Sequence, residues 1–108
     1  MKTGDIVLIP FPFAELTNVK LRPAVVVSET KDRYRDLIVC AISSQVPVTI
    51  SPAEIVLNPD GKNGLRVVSI LKVDRIFTLK QERVVAVLGN LSAHHLQQFK
   101  EIFAGLVQ

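Results

Sequence analysis

The sequence holds few groups that could do chemistry, and one is set apart by its context. In Lys20-Leu21-Arg22-Pro23-Ala24-Val25-Val26-Val27 a strand-forming run is entered through an Arg-Pro pair. Pro23 biases the backbone of Arg22 toward an extended conformation and so fixes where its side chain leaves the fold. A guanidinium held there offers five donors and a permanent charge, which suits a phosphate oxygen. The same residue also reads as a solvated loop arginine. Lys20 beside it fits a nucleic-acid backbone contact, which asks for charge and little geometry. His94 and His95 suggest acid–base chemistry, yet they begin a helical pattern, where a surface or capping role accounts for them. As sequence neighbours they face different ways on a helix, and the chain has no clustered Cys/His set that would bind a metal. Cys40 lies inside an apolar run and reads as a small buried hydrophobe. Tyr34, Phe11 and Phe13 could stack on a base of single-stranded RNA. For the two phenylalanines, packing of their loop onto the body of the fold is the alternative.

The elements that must position these residues are short and rich in Val and Ile. Apolar runs occur at Ile6–Ile9, Ala24–Val27, Leu37–Ile42, Glu54–Leu57, Val67–Val73, Ile76–Leu79 and Val84–Leu88. Most are of strand length and too short for a typical helix. Pro10 and Pro12 cannot donate to a sheet ladder, so the first strand should end there and a long loop begin. Pro23 restarts order, and Asn58-Pro59-Asp60-Gly61 has strong turn chemistry. Close spacing of such strands predicts a sandwich or small barrel rather than a parallel α/β sheet. At the end of the chain the period changes. Leu96, Phe99, Ile102, Phe103 and Leu106 recur at helical spacing, with Ser92 as N-cap and Leu91 placed to staple onto Leu96.

Composition narrows the class further. A chain of 108 residues that is 48% hydrophobic can build one core and is not disordered in character. We therefore expect a single domain over residues 1–108. The formal charge of +3 and a pI near 9.3 are compatible with a polyanionic partner without demanding one. One cysteine excludes an internal disulfide and fits a reducing compartment. The amino terminus lacks the form of a signal peptide, and no apolar run approaches the ~20 residues of a membrane span. A soluble, cytoplasmic protein with no membrane partner is the expectation.

Three segments together resemble the MazF/PemK family of toxins. The first is Gly4-Asp5-Ile6-Val7-Leu8-Ile9-Pro10-Phe11-Pro12-Phe13 followed by Lys20-Leu21-Arg22-Pro23-Ala24-Val25-Val26-Val27-Ser28. It is similar to the family's amino-terminal signature of strand, loop and Arg-Pro pair. The second, Val39-Cys40-Ala41-Ile42-Ser43-Ser44-Gln45, resembles a strand that ends in a hydroxyl residue at the position of Ser43. The third, Ser69-Ile70-Leu71-Lys72-Val73-Asp74-Arg75-Ile76, resembles the last characteristic strand, which often carries an acid where Asp74 stands. They occur in family order, and the resemblance covers nearly the whole chain.

The resemblance implies an SH3-like small barrel, mainly β, with a C-terminal amphipathic helix. It also implies the toxin of a type II toxin–antitoxin system, an mRNA interferase that cuts single-stranded RNA sequence-selectively. The ribose 2′-hydroxyl attacks the adjacent phosphate, so neither metal nor other cofactor is implied. Arg22 matches the catalytic arginine and Ser43 the catalytic Thr/Ser. The family's glutamate or histidine shortly before that arginine is replaced here by Thr17 and Leu21. Glu15 lies in the same loop at a different spacing, as an RNA contact or the general base. Asp74 would orient Arg22, read a base edge, or form a cross-strand ion pair. Lys72, one strand alternation away, would share its face. Lys20, Lys72, Arg75 and Gln45 complete the expected RNA-binding set. A homodimer and a cognate antitoxin protein are the implied partners. The rival reading is a non-catalytic SH3-like binding module, or a toxin that acts on a protein or nucleic acid without cleavage, because fold alone does not settle function.

Overall fold

The computed structural model describes residues 1–11 and 20–108. In chain order these form β1 (Asp5–Pro10), β2 (Leu21–Glu29), β3 (Leu37–Ser43), β4 (Glu54–Leu57), β5 (Ser69–Leu79), β6 (Ala86–Asn90) and α1 (Ala93–Gly105). A short 3-10 turn, Gln81–Arg83, separates β5 from β6. The strands make one antiparallel sheet in the order β4-β5-β3-β2-β1-β6, curled into a half-barrel. This is the mainly β, barrel-like architecture with a terminal helix that strand spacing and the final change of period predict.

Several boundaries differ from the expectation; the last run, expected over Val84–Leu88, forms β6 at Ala86–Asn90. Pro23 was expected to restart order, but β2 begins at Leu21 and Pro23 lies within it, paired with Leu8. The pairing of β2 with β3 extends only to Ala24–Ala41, so Pro23 stands where that ladder has run out. A residue without an N–H is tolerated at such an edge. The runs Val67–Val73 and Ile76–Leu79 join into the single strand β5. Its register against β3 jumps from Cys40–Ile76 to Ile42–Leu71, which leaves Lys72 to Arg75 opposite the single residue Ala41. The polar interruption Asp74-Arg75 is thus a bulge inside one strand rather than a turn between two. Bulges bend a strand and re-aim its side chains.

Both faces of the central strands are apolar, which explains runs such as Val25-Val26 and Leu37-Ile38-Val39 in place of strict alternation. Ile6, Val25, Cys40, Ile42, Leu71 and Val73 form one buried cluster with Phe99 of α1. Val7, Ile9, Ala24, Val26, Leu37 and Val39 form a second, against which Phe77, Leu79 and Val84 pack. Residues that alternate along β1, β2 and β3 supply the two clusters in turn. The helix starts where its cap predicts: the Ser92 side chain accepts a hydrogen bond from the His95 N–H at 3.3 Å. Leu91 is buried and Leu96, Ile102 and Phe103 pack on the first cluster, whereas Leu106 follows the helix and is 40% exposed. The helix, at 13 residues, is too short to cross a membrane.

Candidate active site

The start of β2, the end of β3 and the bulge of β5 meet around one cavity of about 330 Å³. Arg22 stands two residues before Ala24 and Ser43 two residues after its partner Ala41, so the antiparallel register brings both to the same end of the strand pair. The bulge delivers Lys72, Asp74 and Arg75 to the same cavity, while Val73 between them is buried in the core. Regular alternation accounts for Lys72 and Asp74; the bend at the bulge adds Arg75. Among the described residues the lining therefore carries three cations and one carboxylate. Phe11 and Phe77 complete one wall, their rings in an edge-to-face contact at 6.0 Å.

Arg22 is half-buried, and its guanidinium lies over the Phe11 ring, 5.2 Å from the centroid. This is cation–π distance, and the contact narrows the directions in which the charge can point. Phe11 is itself anchored at the stem of the β1–β2 connection, where its N–H donates to the Lys20 carbonyl at 3.0 Å. The Ser43 hydroxyl accepts a hydrogen bond from the Gln45 N–H at 3.1 Å. The strand-end cap and a chemical role are compatible here, because the hydroxyl keeps its own proton to donate. The arrangement can hold a phosphate with Arg22 and Ser43 while a carboxylate, Asp74, faces the same space.

Not every expected residue comes to this cavity. Lys20 lines a second, larger cavity of about 620 Å³ that also includes Arg22. Gln45 is exposed and lines neither. Glu15, Thr17 and Phe13 lie outside the described residues. Tyr34 is 64% exposed in its turn, with the Arg33 guanidinium 4.9 Å from its ring centroid, and lines neither cavity. His94 and His95 also lie outside both cavities, and their rings sit 5.5 Å apart rather than pointing away from each other. Cys40 is buried, and its S–H donates to the Val73 carbonyl at 3.2 Å. Burial first, and then the nearby Asp74 charge, push its thiol up to about 12. Among the described residues no group of three or more His, Cys, Asp or Glu side chains is placed to hold a metal ion. Phe77 and Arg66 belong to these cavities and carry no local signal in the sequence; Phe77 reads simply as part of an apolar run.

Sequence comparison with curated proteins gives no match. Solved structures of similar fold are found. An endoribonuclease in complex with its cognate antitoxin, from a mycobacterial species, is 15% identical with a TM-score of 0.73 over 99% of this chain and 94% of its own. The Mycobacterium tuberculosis toxin MazF-mt6 is 19% identical with a TM-score of 0.70 over 95% of each chain. MazF from Deinococcus radiodurans is 21% identical with a TM-score of 0.70 over 99% of this chain and 96% of its own. A family model, PemK-like, MazF-like toxin of type II toxin–antitoxin system, matches residues 2–106, and the chain belongs to this family of toxins.

Proposed function

We propose that this toxin is a metal-independent endoribonuclease that cuts single-stranded RNA. The observation that carries the reading is the half-buried Arg22, braced on Phe11 beside Ser43, in a cavity with more positive than negative charge. Solved structures of the same fold bear the name endoribonuclease, which supports the reading. In the proposed reaction the ribose 2′-hydroxyl loses its proton and its oxygen attacks the adjacent phosphorus. The bond from phosphorus to the 5′-oxygen breaks, and that oxygen takes up a proton. The products are a 2′,3′-cyclic phosphate and a 5′-hydroxyl. Because the nucleophile belongs to the substrate, no metal is needed to generate one. Arg22 stabilises the charge that grows on the phosphate, and Ser43 donates a hydrogen bond to one of its oxygens. Asp74 is the described carboxylate of the cavity and either takes the 2′-hydroxyl proton or reads a base edge. Glu15 is the other carboxylate offered for the base.

The same reading includes a homodimer, a cytoplasmic setting and control by a cognate antitoxin. Exposed apolar residues such as Val85 and Val87 are of the kind a subunit or partner interface covers. The antitoxin is supported by the family and by the complex among the similar structures.

Purified protein incubated with mixed-sequence single-stranded RNA in EDTA tests the mechanism. Cleavage should proceed and mass spectrometry should find cyclic-phosphate ends. Arg22→Ala should slow it by on the order of 10² or more with the fold intact, and Ser43→Ala by about tenfold. Activity that vanishes in EDTA and returns with Mg²⁺ would refute the mechanism. Near wild-type cleavage by Arg22→Ala would refute the site, and RNA bound but left intact would favour the non-catalytic module.

A further inference from the structure

The second cavity has no role in the reaction as written, yet it shares Arg22 and Ile42 with the first. Arg22 is therefore the wall between two basins. Ser43 and Ser44, successive residues at the end of β3, divide the same way, one to each basin. The basins differ in charge. The first contains the carboxylate of Asp74, an acceptor that repels phosphate but can take a hydrogen bond from a base. The described ionisable groups of the second are all cationic: Lys20, Arg22 and Arg66. Its remaining wall is largely apolar, with Leu21, Pro23 and Val67.

Arg66 leaves from a turn that is held in place. Asn63 is buried; its amide donates to the Asn58 carbonyl at 2.8 Å, and its side-chain oxygen accepts from the Leu65 N–H at 3.0 Å. The Asn90 N–H donates to the Lys62 carbonyl at 2.9 Å, which ties the turn to β6. Gly64 has φ +68° and lies so close to the Leu88 carbonyl that a Cβ would stand 2.2 Å from its oxygen. A turn fixed in this way pre-positions the backbone of Arg66, so its exposed side chain starts from the basin's edge.

We infer that the second basin binds the RNA phosphate next to the scissile one, with Arg66 as its main contact and Lys20 as an auxiliary. The strand of RNA crosses the Arg22 wall: the scissile phosphate sits at Arg22 and Ser43, a base enters the Asp74 side, and the neighbouring phosphate and sugar lie on the Arg66 side. This rests on the nuclease reading above and adds to it a second phosphate subsite. Arg66 touches backbone only, so its contribution is to binding and is blind to sequence.

Steady-state cleavage of mixed-sequence single-stranded RNA over a range of salt concentrations tests this, with the full-length wild type, Arg66→Gln and Arg66→Lys. Arg66→Gln should raise KM about tenfold near physiological salt, the loss of one charge-assisted contact. Its kcat should fall no more than about twofold and its cut sites should stay the same. The slope of log KM against log salt should shrink by about 0.7, the value for one phosphate contact on a single strand. Arg66→Lys should keep the wild-type slope. If wild type cleaves and Arg66→Gln leaves KM and slope unchanged, or alters which sequences are cut, the second subsite is refuted while the nuclease reading stands. If wild type does not cleave RNA, both fall together.

Discussion

Gly64 and Gly61 lie three residues apart in the same connection and should respond to alanine in opposite ways. Gly64 has a left-handed backbone, φ +68°, and a Cβ there would stand 2.2 Å from the Leu88 oxygen and 2.8 Å from its carbonyl carbon. Ordinary contact begins near 3.4 Å, so turn and strand would have to part by about 1 Å. Both atoms in the way are backbone, and no rotamer change relieves them. Holding alanine in the left-handed region costs about 1–2 kcal/mol. Parting the turn from β6 puts the Asn90–Lys62 hydrogen bond at risk, worth about 1 kcal/mol more. A total near 2–3 kcal/mol corresponds to a Tm lower by roughly 8–12 °C for a domain of this size. Gly61 has open space around it and no left-handed constraint. Alanine there should change stability by no more than about 0.5 kcal/mol, with a small gain favoured by the stiffer unfolded chain. Thermal melts followed by circular dichroism measure both. A Gly64→Ala variant that melts within about 3 °C of wild type would mean the turn is not held against β6, and the pre-positioning of Arg66 would go with it.

Two further outcomes follow from the site's walls. Phe11→Leu removes the ring beneath Arg22 but keeps an apolar side chain, so kcat should drop about two- to fivefold, the scale of an exposed cation–π contact, and Phe11→Tyr should restore it. Equal rates for both variants would show that the ring does not orient the arginine. Cys40, with its thiol raised from 9.0 to about 12, should resist an aromatic disulfide reagent at pH 8 in the native protein and react at once in guanidinium chloride. Because the folded state favours the neutral thiol, this contribution to stability is complete below about pH 9 and is lost as pH rises from there toward 12. Labelling of native protein at the rate of a free cysteine would contradict that burial.

The strands were legible because Val and Ile dominate them, and the helix because Ser92 and the spacing from Leu96 to Phe103 agree on where it lies. The β5 bulge was not. Asp74-Arg75 looks like a polar break between two strands, and only pairing with β3 shows that one strand continues through it as a bulge. Arg22, Ser43, Lys72, Asp74 and Arg75 could be nominated from their segments, and they do converge on one cavity. Arg66 could not. It lies 44 positions from Arg22, in Gly64-Leu65-Arg66-Val67, and nothing in those four residues tells where the turn is pinned. That information resides in Asn63 and Leu88, whose contacts are tertiary. Gln45 shows the converse: its side chain suits RNA, but at its place in the fold the backbone N–H, bonded to Ser43, is what matters locally.

A fold shared at 15–21% identity follows from where the physical constraints fall. The buried clusters consist mainly of Val, Ile, Leu and Ala. Side chains of this kind exchange for one another at modest cost so long as volume and alternation are kept, so the core can drift widely in sequence. The geometry of the candidate site depends on other things: an extended residue before Pro23, a strand that ends at Ser43, and a strand that bulges between Leu71 and Ile76. Each is a backbone feature set by pairing register, and each brings its side chain to the cavity whatever apolar residues lie beneath. Charge is then added locally. Asp74 and Arg66 stand exposed at the rims of the two basins, and substitution there disturbs neither core cluster. On the proposed reading, what is read from RNA and how tightly RNA is held can therefore change separately from the fold and from Arg22, because the side chains proposed for each task sit on different elements: the β5 bulge for one, the turn after β4 for the other.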